Sequence, residues 1–352
     1  MKEPIGRQAN RAFPPVIERA QARSAAYSLL ARLYRDGVSE DLLPAVEAIP
    51  GLSGTYPRNP ETGTLDGDEA AADHYEVFGY NVFPYGSIFL DSGGDLGGAA
   101  TGRVLDFYRQ AGYAPAPSEN GDHIAAELDF LAFLCGAEAD AWEDRLPGVA
   151  LRMQALQRRF LDEVLLPWVP VFVQAVRRHG VGFYAELAAF TLELSADHRQ
   201  SLGGAPATPT ALLVDEPPEI LAEEKTGLKE IAGFLITSAY SGIYLSRSEI
   251  ARLARRRRIP RGFGGRQQML VNLLRSAAAY DALDRVVEDL QAAMEAWLGE
   301  YRSWSDDYPC LQVHLDSWLR RLEAGQTVLS RIEAELTNLL AQEAAGESTA
   351  GL

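Results

Sequence analysis

The stretch Asp122-His123-Ile124-Ala125-Ala126-Glu127-Leu128-Asp129-Phe130-Leu131 decides the fold. Its apolar positions, Ile124, Leu128, Leu131 and then Leu134, recur at helical spacing and define a buried stripe. Gly121 interrupts the chain just before it, and Asp122 stands where a helix N-cap belongs. An Asp-His pair at the mouth of an apolar helix is compatible with catalysis, with metal binding, or with holding a partner.

Working outward, the same period runs through nearly the whole chain. Residues 17–34 place Ile17, Ala20, Ser24, Tyr27, Leu30, Leu33 and Tyr34 on one side of a helix. Further helices are predicted over 41–49, 69–78 (ended by Gly79), 104–110, 149–164, 167–179 and 183–194. The turn-rich stretches 50–67 and 81–102 read as irregular. No segment alternates with period two, so no sheet is expected. Residues 201–218, with Pro206, Pro209, Pro217 and Pro218, form the best linker. Beyond it, 219–240, 246–258, 265–280 and 281–301 read as helices, and 311–342 as one long helix. Ser246-Arg247-Ser248-Glu249 matches a capping box. The expected fold class is therefore all-α: a helical domain over 1–200, a Pro/Gly-rich linker over 201–218, and a C-terminal helical extension over 219–345.

Composition narrows the function. The chain has 352 residues, 47% of them hydrophobic, and a formal net charge of -16. That charge opposes attraction to nucleic acid or an anionic membrane. The only cysteines, Cys135 and Cys310, are far apart, with no CxxC and no zinc-ribbon spacing. Cys135 continues the apolar helix and reads as core. The N-terminus, with Lys2, Glu3, Arg7 and Arg11, lacks a secretory h-region. The longest apolar segment, 234–245, is too short to span a bilayer. The expected compartment is the cytoplasm, without membrane insertion.

Four features could carry chemistry. Asp precedes His three times, at Asp73-His74, Asp122-His123 and Asp197-His198. Such pairs could serve an all-helical metal-dependent hydrolase, but its signature runs His then Asp. Capping Asp and ordinary surface His account for the same residues. Gly93-Gly94-Asp95-Leu96-Gly97-Gly98 could approach a phosphate, yet it lacks the Lys-Ser/Thr of a P-loop and reads as a surface loop. Arg255-Arg256-Arg257-Arg258, with Arg252, Arg261 and Arg266, is the one strongly basic patch. Phosphate or nucleic-acid contact is one reading. An exposed helix end paired with carboxylates elsewhere is the preferred one. Finally, Trp168, Phe172, Phe183, Tyr184 and Phe190 form aromatic helical stripes of the kind that fill cores. No nucleophile elbow occurs and neither Cys lies among cationic residues; no cofactor or metal is expected.

Taken in order, several segments resemble the TorD/DmsD/NarJ family of redox-enzyme maturation chaperones. His74-Tyr75-Glu76-Val77-Phe78 is similar to the family's Tyr-x-x-Phe segment. Pro84-Tyr85-Gly86-Ser87-Ile88-Phe89 is similar to its Pro-Tyr-x-Ser-Val-Tyr segment. Val104 and Tyr108 precede Glu119-Asn120-Gly121-Asp122-His123 and a Glu-Leu-x-Phe-Leu helix, and Phe160, Leu166, Trp168 and Pro170 follow two helices later. Gly86 stands where an acidic residue is usual, and Leu165-Leu166 replaces a His-Leu pair.

The resemblance implies a TorD-like helical bundle and a non-enzymatic role. It implies, as partners, the catalytic subunit of a molybdopterin oxidoreductase and its twin-arginine leader peptide, held until the cofactor is inserted. It also implies that Tyr75, Phe78, Pro84, Tyr85, Ser87, Asp122, His123 and Glu127 line or shape the leader-binding surface. An apolar groove edged with carboxylates would complement a leader that is apolar and preceded by two arginines. Asp122 or a neighbouring carboxylate would meet the arginines, and Tyr85 and Phe78 the apolar part. Asp122 as no more than a helix cap is the competing reading. Guanine nucleotide binding, associated with some members, stays open. The role of the extension also stays open: covering the groove, docking the client, or dimerising through swapped helices as a homodimer.

Overall fold

Helices form wherever apolar residues recur every three or four positions, and end at glycine, proline or a residue forced out of helical conformation. The computed structural model describes residues 14–93, 96–115, 120–204, 217–222, 226–260 and 262–350. The N-terminal Lys2, Glu3, Arg7 and Arg11, Gly94 and Asp95 of the glycine loop, Glu119, Pro206 and Pro209 of the linker, and Arg261 lie outside the described residues.

The first half comprises α1 (Pro14–Asp36), α2 (Leu43–Glu47), α3 (Gly67–His74), α4 (Gly86–Leu90), α5 (Ala99–Ala111), α6 (Ile124–Glu143), α7 (Pro147–Phe160), α8 (Val169–His179) and α9 (Gly182–Ser201). Two of these helices widen without a break into π-helical segments: α3 into Tyr75–Asn81, and α7 into Leu161–Leu165. The second half comprises α10 (Leu228–Ile236), α11 (Ser238–Ser241), α12 (Arg247–Arg257), α13 (Arg266–Ala279), α14 (Leu283–Asp307) and α15 (Gln312–Ala350). Among the described residues there is no strand, only the isolated antiparallel bridges Arg58–Leu65 and Tyr85–His123. The all-α expectation holds.

Several boundaries moved. The helix expected to stop at Gly79 runs on to Asn81, because the π-helical widening absorbs the glycine. A short helix, α4, lies inside a stretch expected to be irregular. The single helix expected over 219–240 is broken: Gly227 and Thr237 both adopt extended backbone, at the start and end of α10. The capping box at Ser246 is present, with Glu249 N–H donating to Ser246 Oγ at 3.1 Å.

α6 sits at the centre. It is buried nearly all round, as its continuous apolar composition requires. α1 lies along it with Tyr27, Leu30 and Leu33 fully buried, and Ser24 Oγ donates to Ala132 O at 2.8 Å. Leu128, Leu131 and Leu134 are fully buried, each worth about 1.5–3 kcal/mol; a charge at Leu131 would break this core. α14 and α15 pair antiparallel, since Gln291 reaches Glu333 and Gln326 reaches Glu295.

Residues on both sides of 205–216 belong to one hydrophobic cluster. Tyr244 lies 5.1 Å from Phe89, ring to ring, and Trp318 Nε1 donates to Pro167 O at 2.8 Å. A further seam is at Asn81. Its carbonyl accepts from Tyr244 Oη at 2.8 Å, and its Oδ1 accepts from Ser248 N–H at 2.9 Å. The extension is thereby fastened to the end of the π-helical segment.

Candidate functional site

The residues singled out from sequence fall into a buried framework and an exposed face. The framework begins with a two-bond ladder between segments 84–86 and 122–124. Gly86 N–H donates to Asp122 O, and Ile124 N–H to Pro84 O, both at 2.9 Å. Pro84 removes its own N–H from the chain but keeps the carbonyl that Ile124 needs.

Asp122 is fully buried and does not cap its own helix. That position belongs to His123, whose Nδ1 accepts from Ala125 N–H at 3.1 Å and so carries no proton there. The Asp122 carboxylate instead reaches across the ladder, where Oδ2 accepts from Ser87 N–H at 2.9 Å. Ser87 lies in the first turn of α4, so Asp122 caps a neighbouring helix from a distance. The expected N-cap was one residue early. The reason is that the ladder turns the Asp122 carboxylate towards α4 and leaves the extended His123 to start α6. Asp122 Oδ1 has no hydrogen-bond partner among the described residues.

Behind Asp122 lies Glu127, also buried, whose Oε2 accepts from Trp168 Nε1 at 3.2 Å. Burial, and then the Asp122 carboxylate, push the Glu127 carboxyl well above the usual range, and the indole N–H only partly offsets this. Asp91, at the end of α4, is a third carboxylate in this field. Burial raises it first, an Ala100 backbone bond lowers it, and Asp122 raises it further. Asp91 was missed in the sequence, where nothing local marks it. Trp168 was read as core, which it is, but it also holds Glu127. Gly86 is packed against Trp168: a Cβ there would meet Trp168 Nε1 at 3.2 Å.

Phe78 is likewise framework. It is enclosed by Tyr34, His74, Phe172 and Tyr184, with ring centroids 5.0 to 6.2 Å away. Ser87 and Pro84 are buried; Tyr85 and His123 are half-buried and meet edge to face at 4.9 Å.

The exposed face is the outer side of the π-helical segment. Tyr75 is 66% exposed and Tyr80 43%. Widening a helix by one residue per turn rotates the following side chains, so Val77 and Phe78 point in while Tyr75 and Tyr80 face solvent. Asp73 and Glu76 flank Tyr75. Burial, then repulsion from Glu69, raise the Asp73 carboxyl, and His179 opposes the shift. Glu76 Oε1 accepts from Asn81 Nδ2 at 2.9 Å.

The Asp-His dipeptides do not converge on one centre. His74 Nε2 donates to Tyr34 O at 3.0 Å, and His123 starts α6. His198 lies between Tyr27 Oη at 2.9 Å and Gln157 Oε1 at 3.0 Å. Among the described residues no group of three or more His, Cys, Asp or Glu is arranged to hold a metal ion. The hydrolase reading needed that convergence. No described helix is long and apolar enough to cross a membrane.

This geometry lies within the part of the chain that matches known proteins. The family model described as nitrate reductase delta subunit matches residues 39–174, which include all eight residues expected to line or shape the leader-binding surface. The chaperone protein TorD of Photobacterium profundum is 32% identical over 155 residues, covering 42% of this chain and 68% of that protein. The chaperone protein TorD of Vibrio atlanticus is 28% identical over 178 residues, 48% of this chain and 78% of that protein. That of Vibrio vulnificus is 31% identical over 123 residues, 33% of this chain and 56% of that protein. Ladder, buried carboxylates and π-helical face thus sit in the matched segment, and the chain belongs to the TorD/NarJ-type family of maturation chaperones.

Proposed function

We propose that the protein is a cytoplasmic maturation chaperone for a molybdenum-containing oxidoreductase, binding the client's twin-arginine leader peptide without chemistry of its own. The chaperone part of this reading is supported by the TorD relatives. The leader-binding part is carried by one observation: the π-helical segment Tyr75–Asn81 leaves Tyr75 and Tyr80 exposed, with Asp73 and Glu76 close to Tyr75 in sequence. A leader has complementary halves. Its arginines meet Asp73 and Glu76, with a guanidinium over the Tyr75 ring, and its apolar helix lies along Tyr75, Tyr80 and Tyr85. Phe78, Pro84, Ser87, Asp122 and Glu127 hold that face in shape from beneath, and His123 supports Tyr85. On this reading the buried residues among the eight act as framework and the more exposed ones as contacts, and the arginines meet half-buried Asp73 and exposed Glu76 rather than Asp122.

The test is fluorescence anisotropy at low salt, with a labelled peptide carrying two adjacent arginines before an apolar stretch. Tyr75→Ala and the double change Asp73→Asn/Glu76→Gln should each weaken binding about tenfold, or 1.4 kcal/mol. Asp122→Asn should leave it within about twofold. Unchanged affinity in the surface variants, or loss confined to Asp122→Asn, would overturn this assignment.

A further inference from the structure

The arginine-rich end of α12 is not absorbed by the leader-binding reading. Three of its arginines are used internally. Arg256 and Arg257 both pair with Asp289, at 3.0 and 2.6 Å, and Arg252 lies 3.6 Å from Glu249. The preferred expectation, a helix end paired with carboxylates elsewhere, holds for Arg256 and Arg257, whereas Arg252 meets a carboxylate of α12 itself. Arg255 is different: it is exposed and has no ion pair among the described residues. With Arg247 it lines a cleft of about 160 Å³ that also includes Tyr80, Ala251, Phe263 and Met269.

Arg247 is fixed in place. It donates through Nη1 to Tyr80 O at 2.9 Å and lies 4.7 Å over the Tyr80 ring, while its buried Nε has no partner. The opposite wall is Phe263, which is 82% exposed. Its exposure is built into the turn. Gly262 lies so close to Asn272 that a Cβ would meet Nδ2 at 2.4 Å, and Gly264 has φ +116. Only glycine tolerates these two positions, so the turn is shaped to hold a phenylalanine out into solvent.

We propose that this cleft is a second docking site, and that its occupant is an acidic segment of a partner protein carrying an aromatic or aliphatic side chain. A carboxylate takes the guanidinium edges of Arg247 and Arg255, and the apolar side chain lies against Phe263 and Met269. Charge selects this occupant: a positive cleft on a chain of net charge -16 favours anions. Size selects a side chain over a cofactor, since ligand pockets run to about 300–1,000 Å³. Arg, Tyr and Phe are also the residues enriched in interface cores.

The experiment uses the full chain and a fluorescein-labelled peptide, Glu-Glu-Phe-Asp-Leu-Glu, followed by anisotropy at low and high salt. A version with Lys at every acidic position and a version with Ser in place of Phe and Leu serve as controls. The parent peptide should bind, weaken about tenfold as salt rises, and lose about tenfold in affinity on Arg255→Glu or Phe263→Ser. Both residues are exposed, so the fold survives these changes, and Arg275→Glu on the neighbouring α13 should leave binding unchanged. No binding at low salt, equal binding of the Lys version, or indifference to both cleft variants would overturn the proposal. Displacement by tripolyphosphate with no dependence on the peptide's apolar residues would also overturn it, giving the cleft to a phosphate ligand. Dimerisation in sedimentation velocity that Phe263→Ser abolishes, without peptide binding, would overturn it in favour of a second copy.

Discussion

Replacing Asp122 by Ala and by Asn separates the two things its carboxylate could do. In the structure the carboxylate makes one bond, to Ser87 N–H in the first turn of α4, from a fully buried position. Alanine removes that cap and leaves a buried N–H unpaired. Caps are worth about 0.5–2 kcal/mol and an orphaned buried donor costs about 1–3 kcal/mol. These describe the same bond, so the expected loss is about 2–3 kcal/mol. Unfolding entropy is about 2.1 cal/mol/K per residue, or roughly 0.7 kcal/mol/K for this chain, which converts the loss to about 3–4 °C in Tm. Asparagine keeps an acceptor for Ser87 N–H and loses only the charge, a difference of about 1 kcal/mol. Relief of the repulsion felt by Glu127 and Asp91 offsets part of it. Thermal melts followed by far-UV circular dichroism, with urea titration as a check, read both variants. An Ala variant melting with the wild type, or an Asn variant falling as far as Ala, would refute the capping account.

Two further predictions concern pH. Glu127 is raised well above its unfolded value of 4.5, so its contribution is full below that value and is lost as pH rises through the folded one. Glu127→Gln keeps an acceptor for Trp168 Nε1 and has no charge to bury. It should therefore gain on the wild type steadily between acid and alkaline pH, and a wild-type advantage at alkaline pH would contradict this. His314 runs the other way: burial, and then Arg199, lower it from 6.5 to about 4. A base with a lowered folded value contributes stability above 6.5 that is lost as pH falls towards about 4, at up to about 1.4 kcal/mol per pH unit. Its Nε2 has no partner among the described residues, so His314→Leu should flatten the acid side of the stability profile; an unchanged acid slope would refute it.

The helices were legible because their apolar periods are long and regular, as α6 and α15 illustrate. What was not legible depends on contacts distant in sequence. The 84–86 to 122–124 ladder decides that His123, rather than Asp122, starts α6. No local pattern encodes a ladder between segments so far apart in sequence. The π-helical widening at Tyr75–Asn81 is equally silent, because Gly79 reads as a stop when only neighbours are considered. Family-like segments pointed to the stretch that the family model matches; only burial separates Phe78 and Asp122 from Tyr75 and Tyr80. Asp91, Tyr80 and the Arg247–Phe263 cleft emerged only once α4, the π-helical segment and α12 were seen side by side.

The seam at Asn81 bears on where this chain can be cut. Ending it at 218 would strip Asn81 of both extension partners, take Tyr244 from Phe89, and deprive the Pro167 carbonyl of the Trp318 indole. The stretch recognisable as a relative would then carry an open wound along its most sensitive edge. Its autonomy in evolutionary terms does not make it a separable piece of matter, and a fragment expressed alone would be expected to collapse, clump, or be degraded.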